Sequence, residues 1–381
     1  MLTTTTGQTV NTTMGGECDS TVSRQWASRP DDERFTSLTD LHWHVETIRQ
    51  NSKAGVYANR QLRAIPSGTG IHDLEIVGPS GKPVTATHWA FGQLATLAGA
   101  PAGYLRSLPS AITADLINYG LHHHRDVEDV GALLTRTPDG IQLRAATGPS
   151  YGRVWNSDIT SRLVDRFGDG LSGDFKVPGE FGVRVPVTKQ NTTLFASDRD
   201  FFVFLADEEN RIEIPNRRDG RSGSLARGFY ISNSETGAGT LTFGAMLFDF
   251  ACMNRNLWGV NQKTELKIRH TKGAPHKLTE QLLPMLDAYA RQNKDQLNRM
   301  EEMVLAAQAK KLDNVQAFLS ARFSKSQAAA IDTVHMAEEG RPIESLWDAS
   351  VGVTAYARGI RWQDERVEME REGGRILDMA A

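Results

Sequence analysis

The chain has 381 residues, 39% of them hydrophobic and 23% charged, with a formal net charge of −3. That suits a soluble globular protein of one large or two medium domains and excludes a polybasic nucleic-acid binder of the histone type, while leaving room for a local basic groove. Cys18 and Cys252 are the only cysteines, too few for a disulfide framework or a cysteine zinc site, so a reducing cytoplasm is expected.

Residues 1–30 begin MLTTTTGQTVNTTMGGECDS, rich in Thr, Gly and Asn, without the basic and apolar regions of a secretion signal. They read as a mobile tail. No run of 18 apolar residues occurs, so no transmembrane helix and no membrane partner is expected. In SLTDLHWHVETIRQ, Ser37 caps a helix with Asp40 three residues on, and Leu41, Val45 and Ile48 share its inner face. LEIVGPSGKPVTAT is a hairpin bending at Pro-Ser-Gly-Lys. Residues 88–124 then form three short helices joined by tight turns.

From residue 131 the period changes. GALLTRTPDGIQLRAAT is a hairpin around Pro-Asp-Gly. SDITSRLVDRFG is a helix capped by its own Ser or Asp, FFVFLAD a buried strand, and PNRRDGRSGSLARG a polar loop. Beyond Leu278 the pattern is helical. Leu282, Leu286, Tyr289, Leu297, Met300, Val304 and Ala307 form one long stripe over 279–311, which reads either as an assembly element for a homo-oligomer or as a helix packed within the chain. Helices over 313–322 and 325–339 follow, and a last one begins near Ile343. The expectation is an α+β protein: an N-terminal helical cluster, a central mainly antiparallel sheet and a helical C-terminal third. Its parts are the 1–30 tail, a 31–277 core domain and a 278–381 helical region.

Four groups of residues invite a functional reading. SNSETGAG, after the strand-forming Phe229, Tyr230 and Ile231, is either a hairpin turn with glycines at positive φ or a backbone cradle for a phosphate. The lysine and spacing of a P-loop are missing, and no cofactor is expected. Between Arg255 and Lys277 six cations (Arg255, Lys263, Lys267, Arg269, Lys272, Lys277) face one acid, Glu265, with Trp258 at the head of the run. The alternation in TELKIRH puts Lys267 and Arg269 on one strand face, which reads either as a phosphate-tracking surface or as a charged strand edge. Arg211, Arg217, Arg218, Arg221 and Arg227 form a second basic group in a glycine-bearing segment. The acids Asp198, Asp200, Asp207, Glu208, Glu209 and Glu235 are the candidate Mg²⁺ ligands of a nuclease, although no nuclease signature accompanies them. The histidines, including the 122–124 run, lack the spacing of a zinc motif, and no nucleophile–base arrangement appears.

Several segments together resemble the DUF932 or phage/plasmid-like family of mobile-element proteins. FGQLATLAGAPAGYLRSLP is similar to its helix–proline–helix segment. LRAATGPSYGRVWNSDI resembles its strand and turn, through Arg144, Tyr151 and Asn156. GFYISNSETGAGTLTFGAMLFDFACMNRN resembles its Asn-Ser-Glu-x-Gly segment and following Cys-x-Asn, through Asn233, Ser234, Glu235, Gly237, Cys252 and Asn254. SLWDASVGVTAYAR is similar to its closing helix. CMNRN departs from the more frequent Cys-Thr-Asn-Gly. The resemblance implies a phage- or plasmid-borne protein of the bacterial cytoplasm in the company of single-stranded DNA handling and recombination. The expected partner is therefore single-stranded DNA, bound without catalysis. A host protein bound in an anti-defence role and a metal-dependent nuclease are the alternatives.

Overall fold

The computed structural model describes residues 29–67, 74–123, 128–178, 186–207, 209–217, 221–249, 257–259, 265–291, 294–357, 359–360 and 363–380. In chain order the strands are β1 (Arg34–Phe35), β2 (Ser52–Ala58), β3 (Arg63–Pro66), β4 (Leu74–Val77), β5 (Pro83–Ala86), β6 (Asp129–Thr137), β7 (Gly140–Thr147) and β8 (Phe175–Lys176). They continue with β9 (Leu194–Ala196), β10 (Phe201–Asp207), β11 (Ile212–Arg217), β12 (Arg221–Asn233), β13 (Leu241–Asp249), β14 (Leu257–Gly259) and β15 (Glu265–Ile268). Among the described residues they form two mainly antiparallel sheets, and the protein is α+β.

The smaller sheet has the order β2-β6-β7-β5-β4-β3, with one parallel pairing, β5 to β7. Helices His88–Leu97 and Ser110–His123 cover it, and Leu94, Ile117, Leu121, Val130 and Leu143 share that core. The larger sheet runs β1-β9-β10-β12-β13-β14, with β8, β11 and β15 attached beside this path. FFVFLAD becomes β10, a strand buried along its whole length because it has neighbours on both edges and packed layers on both faces. Helices Leu38–Gln50 and Asn156–Phe167 lie on this sheet through Leu41, Val45, Leu163 and Phe167. The Ser37 cap is present, its hydroxyl accepting the Asp40 N–H at 3.0 Å. Arg29, at the edge of the expected tail, is fastened by two hydrogen bonds to Asp200 at 2.7 and 2.6 Å; residues 1–28 lie outside the described residues.

Four local expectations are corrected. The helix of SDITSRLVDRFG begins at Asn156 with Trp155 as its N-cap, and no side chain of Ser157 or Asp158 caps it. The described residues of PNRRDGRSGSLARG are strand, 215–217 in β11 and 221–228 in β12, which pair with each other, since backbone pairing at a sheet edge tolerates polar side chains. The 279–311 stripe is broken into a π-turn (Leu278–Leu282) and helices Leu283–Ala290 and Lys294–Ala309, with Pro284 at the start of the second piece. Its apolar residues are used internally: Leu282, Leu286 and Tyr289 enter the large-sheet core, Val304 and Ala307 the C-terminal one. The side chains of Leu297 and Met300 lie outside the described residues. The end of the chain carries two helices, Leu346–Ala357 and Gln363–Asp378, where one is expected. They join Lys325–Glu339 around the fully buried Trp347, and Leu225 of β12 reaches into the same core. Among the described residues no helix is long and apolar enough to cross a membrane.

Candidate nucleic-acid interface

The segment SNSETGAG is the connection of the β12–β13 hairpin, whose last paired residues are Ser232 and Thr242. Surface turns are usually solvated, but this one is buried: Asn233, Ser234, Glu235 and Thr236 are each 2% exposed or less. Buried polar groups must find partners, and here they find them on both sheets. Glu235 Oε2 accepts from Arg144 Nη1 of β7 at 2.9 Å, while Oε1 accepts the Asn156 N–H at 2.8 Å. The carboxylate thus caps the 156–167 helix from a distant part of the chain and meets the positive end of its dipole. Arg144 Nε donates to the Asp198 carbonyl at 3.1 Å.

Around that pair the other motif residues close in. Asn233 Nδ2 donates to the Val154 carbonyl and to Asn156 Oδ1, at 2.9 and 2.7 Å. Tyr151 donates its hydroxyl proton to the Ser234 carbonyl at 2.7 Å, and burial pushes this phenol above its ordinary range. Ser234 and Thr236 hydroxyls donate to the Arg199 carbonyl. Trp89 Nε1 and Gln93 Nε2, from the 88–97 helix, both donate to the Thr236 carbonyl. Gly237 has φ 86°, and a Cβ there would stand 3.2 Å from Gln93 and 3.3 Å from Thr147. Arg144, Tyr151, Asn156, Asn233, Ser234, Glu235 and Gly237 therefore converge on one polar knot between the sheets. Cys252 and Asn254, the remaining motif residues, lie outside the described residues.

Next to the knot runs a ladder of cations and rings. The Arg49 guanidinium lies 5.5 Å from the Trp155 ring, and Arg153 lies 5.9 Å from Trp155 and 5.3 Å from Tyr151. Tyr151 in turn stacks on His270, with centroids 4.8 Å apart and planes 21° off parallel. His270 Nδ1 donates to the Gly152 carbonyl at 3.1 Å and the Gly152 N–H returns to the His270 carbonyl at 3.0 Å. Only glycine fits at 152, since a Cβ would sit 1.7 Å from the Thr271 carbonyl oxygen. Burial, with the Arg153 charge nearby, drives the His270 pKa down to about 4, so the ring is neutral at pH 7. Arg49 also bonds Ser157 and Asp158. Arg153 Nε and Nη1 and His270 Nε2 are buried without a hydrogen-bond partner. Sequence reasoning missed Arg49, Arg153 and Trp155, and placed His270 only among the cations of the basic stripe; the one visible signal was the clustering of Arg and aromatic residues in YGRVW.

The basic stripe continues from the end of this ladder. Lys267, Arg269 and Lys272 are exposed, while Ile268 is buried and Leu266 packs on the core, as strand alternation requires. Arg227 is a correction. It is 3% exposed, donates to Asp207 at 2.9 Å and to the Tyr289 carbonyl at 3.0 Å, and lies over the Phe175 ring, so it cannot meet an external phosphate. Arg218, Arg255 and Lys263 lie outside the described residues, as do the side chains of Arg217, Arg221 and Trp258.

The acidic group is likewise dispersed. Asp200 is held by Arg29 and Ser197, Asp207 by Arg227 and Asn210, and Glu235 by Arg144, while Glu208 lies outside the described residues. Burial opposes ionisation of Asp200, but the hydrogen bonds and charge of Arg29 with the Ser197 hydroxyl overcome it and lower its pKa. Among the described residues no three His, Cys, Asp or Glu side chains assemble as a metal-binding set. Comparison with protein-family models, curated proteins and solved structures finds no match to this chain.

Proposed function

We propose that this is a non-enzymatic DNA-transaction protein that binds single-stranded DNA, carried by a phage or plasmid and acting in the bacterial cytoplasm, as the resemblance to the DUF932 family implies. The observation that carries the reading is the ladder Arg49–Trp155–Arg153–Tyr151–His270 ending at the exposed cations Lys267, Arg269 and Lys272. The rings of Trp155 and Tyr151 hold the Arg49 and Arg153 guanidinium groups beside the strand, and the exposed Lys267, Arg269 and Lys272 offer their N–H groups to phosphate oxygens. Trp43, 72% exposed on the same helix as Arg49, offers a face on which an unpaired base stacks, which favours a single strand over a duplex. Asp200, Asp207 and Glu235 are engaged by arginines, which supports binding without cleavage.

The test is an electrophoretic shift with single- and double-stranded oligonucleotides, with and without Mg²⁺. Salt-sensitive retention of the single strand without cleavage is the expected result; no retention in about 50 mM salt, where phosphate contacts are strongest, overturns it. A second reading, a host-protein partner, rests on the outer face of the 110–123 helix, where Ile112, Leu116 and Tyr119 are 49, 40 and 67% exposed. It predicts co-purification of a host protein without DNA affinity.

A further inference from the structure

The smaller sheet encloses a cavity of about 80 Å³, remote in chemistry from the basic ladder. Its origin is a shortage of side-chain volume. Ala132 and Ala146 are direct cross-strand partners on β6 and β7, and both line the space. Leu62, Ile76, Leu94 and Leu143 are among the other apolar side chains of its walls, with Tyr57 beside them. The β4–β5 turn adds Gly78, Pro79, Ser80 and Lys82 to the lining, the last three of them exposed. Lys82 is the single charged side chain among the described lining residues, and it is exposed at the turn.

Apolar cavities stay dry, and one of about 150 Å³ accepts benzene, so a space of this size takes an aliphatic group of about three or four carbons. A cation in a mostly apolar lining selects an anion. We propose that this cavity is a binding site for a short-chain aliphatic carboxylate, its hydrocarbon between β6, β7 and the 88–97 helix and its carboxylate at Lys82. The site is independent of the nucleic-acid reading.

The test uses the full chain and titrates acetate, propionate, butyrate and hexanoate by calorimetry, with butyramide as the neutral isostere. Affinity should rise about fourfold per added methylene up to butyrate and then stop rising, because the cavity is full. Butyramide should bind several-fold more weakly than butyrate, and Lys82→Gln should erase that difference. Ala146→Leu should abolish binding by filling the space. Lys82→Gln sits on an exposed turn and leaves folding intact, so the assignment stays testable if Ala146→Leu does not fold. Affinity indifferent to chain length, or equal for butyrate and butyramide in the wild type, overturns the proposal.

Discussion

Arg144 and Glu235 lie 91 residues apart in sequence and meet at 2.9 Å, 4% and 2% exposed respectively, each from a different sheet. One carboxylate thereby joins β7, the β12–β13 connection and the first turn of the 156–167 helix. Such a pair contributes little over a well-packed apolar replacement, but removing one partner strands the other charge out of water. Glu235→Gln should therefore cost about 3–5 kcal/mol, read as a lower urea midpoint. The Arg144→Met, Glu235→Met double variant should cost clearly less than the sum of the single losses.

Gly237 holds a backbone conformation that side chains disfavour, with Gln93 and Thr147 close by. Gly237→Ala should destabilise by about 1–3 kcal/mol. A midpoint unchanged in urea unfolding would show that the turn relaxes freely.

Arg227 and Lys267 belong to runs of similar charge but should behave oppositely. Arg227→Met leaves the buried Asp207 carboxylate without its cationic partner, with the Asn210 hydrogen bonds remaining, and should cost about 3 kcal/mol. Replacing Lys267, Arg269 and Lys272 together by Ala should leave stability within about 0.5 kcal/mol. The same triple variant should lower the salt slope of single-strand binding by about 2, at roughly 0.7 per lost phosphate contact. An unaltered slope argues that the strand runs elsewhere.

Arg153 sets stability against binding. Its Nε and Nη1 are buried without partners, which is costly for a charged group. Arg153→Met keeps the apolar body and removes that cost, so the urea midpoint should rise while oligonucleotide affinity falls about tenfold, the typical worth of one charge-assisted contact. A variant that loses stability and keeps affinity would assign Arg153 to the scaffold alone.

His270 should leave a signature in pH dependence. Its pKa is depressed in the folded protein to about 4, against 6.5 for an ordinary imidazole. The unfolded chain therefore binds more protons between those values, so the contribution to stability is complete above about pH 6.5 and is lost as pH falls toward 4. Wild type should lose on the order of 2 kcal/mol over that window from this group, discounted for its partial exposure. His270→Gln should flatten that part of a urea-midpoint profile measured from pH 7.5 to 4.5.

The local features were legible along the chain. Ser37 with Asp40, the Pro-Asp-Gly bend of β6–β7, the six apolar residues of β10 and the outward Lys267 beside inward Ile268 follow from caps, turn chemistry and a period of two, which act over a few residues. Charge partners were not legible. Nothing in SLARG marks Arg227 as a buried counter-ion, and nothing in VWNSD says that its helix is capped by Glu235. The long 279–311 stripe showed which residues are apolar but not that they enter two different cores. By itself the sequence determined the α+β class, most of the strands and the identity of the motif residues, because periodicity and turn propensity are properties of neighbours. Only the tertiary structure decided that those motif residues form a buried knot and that Arg153, Tyr151 and His270 line up beside the basic strand, because the cost of burying a polar group is settled by whichever distant segment packs against it.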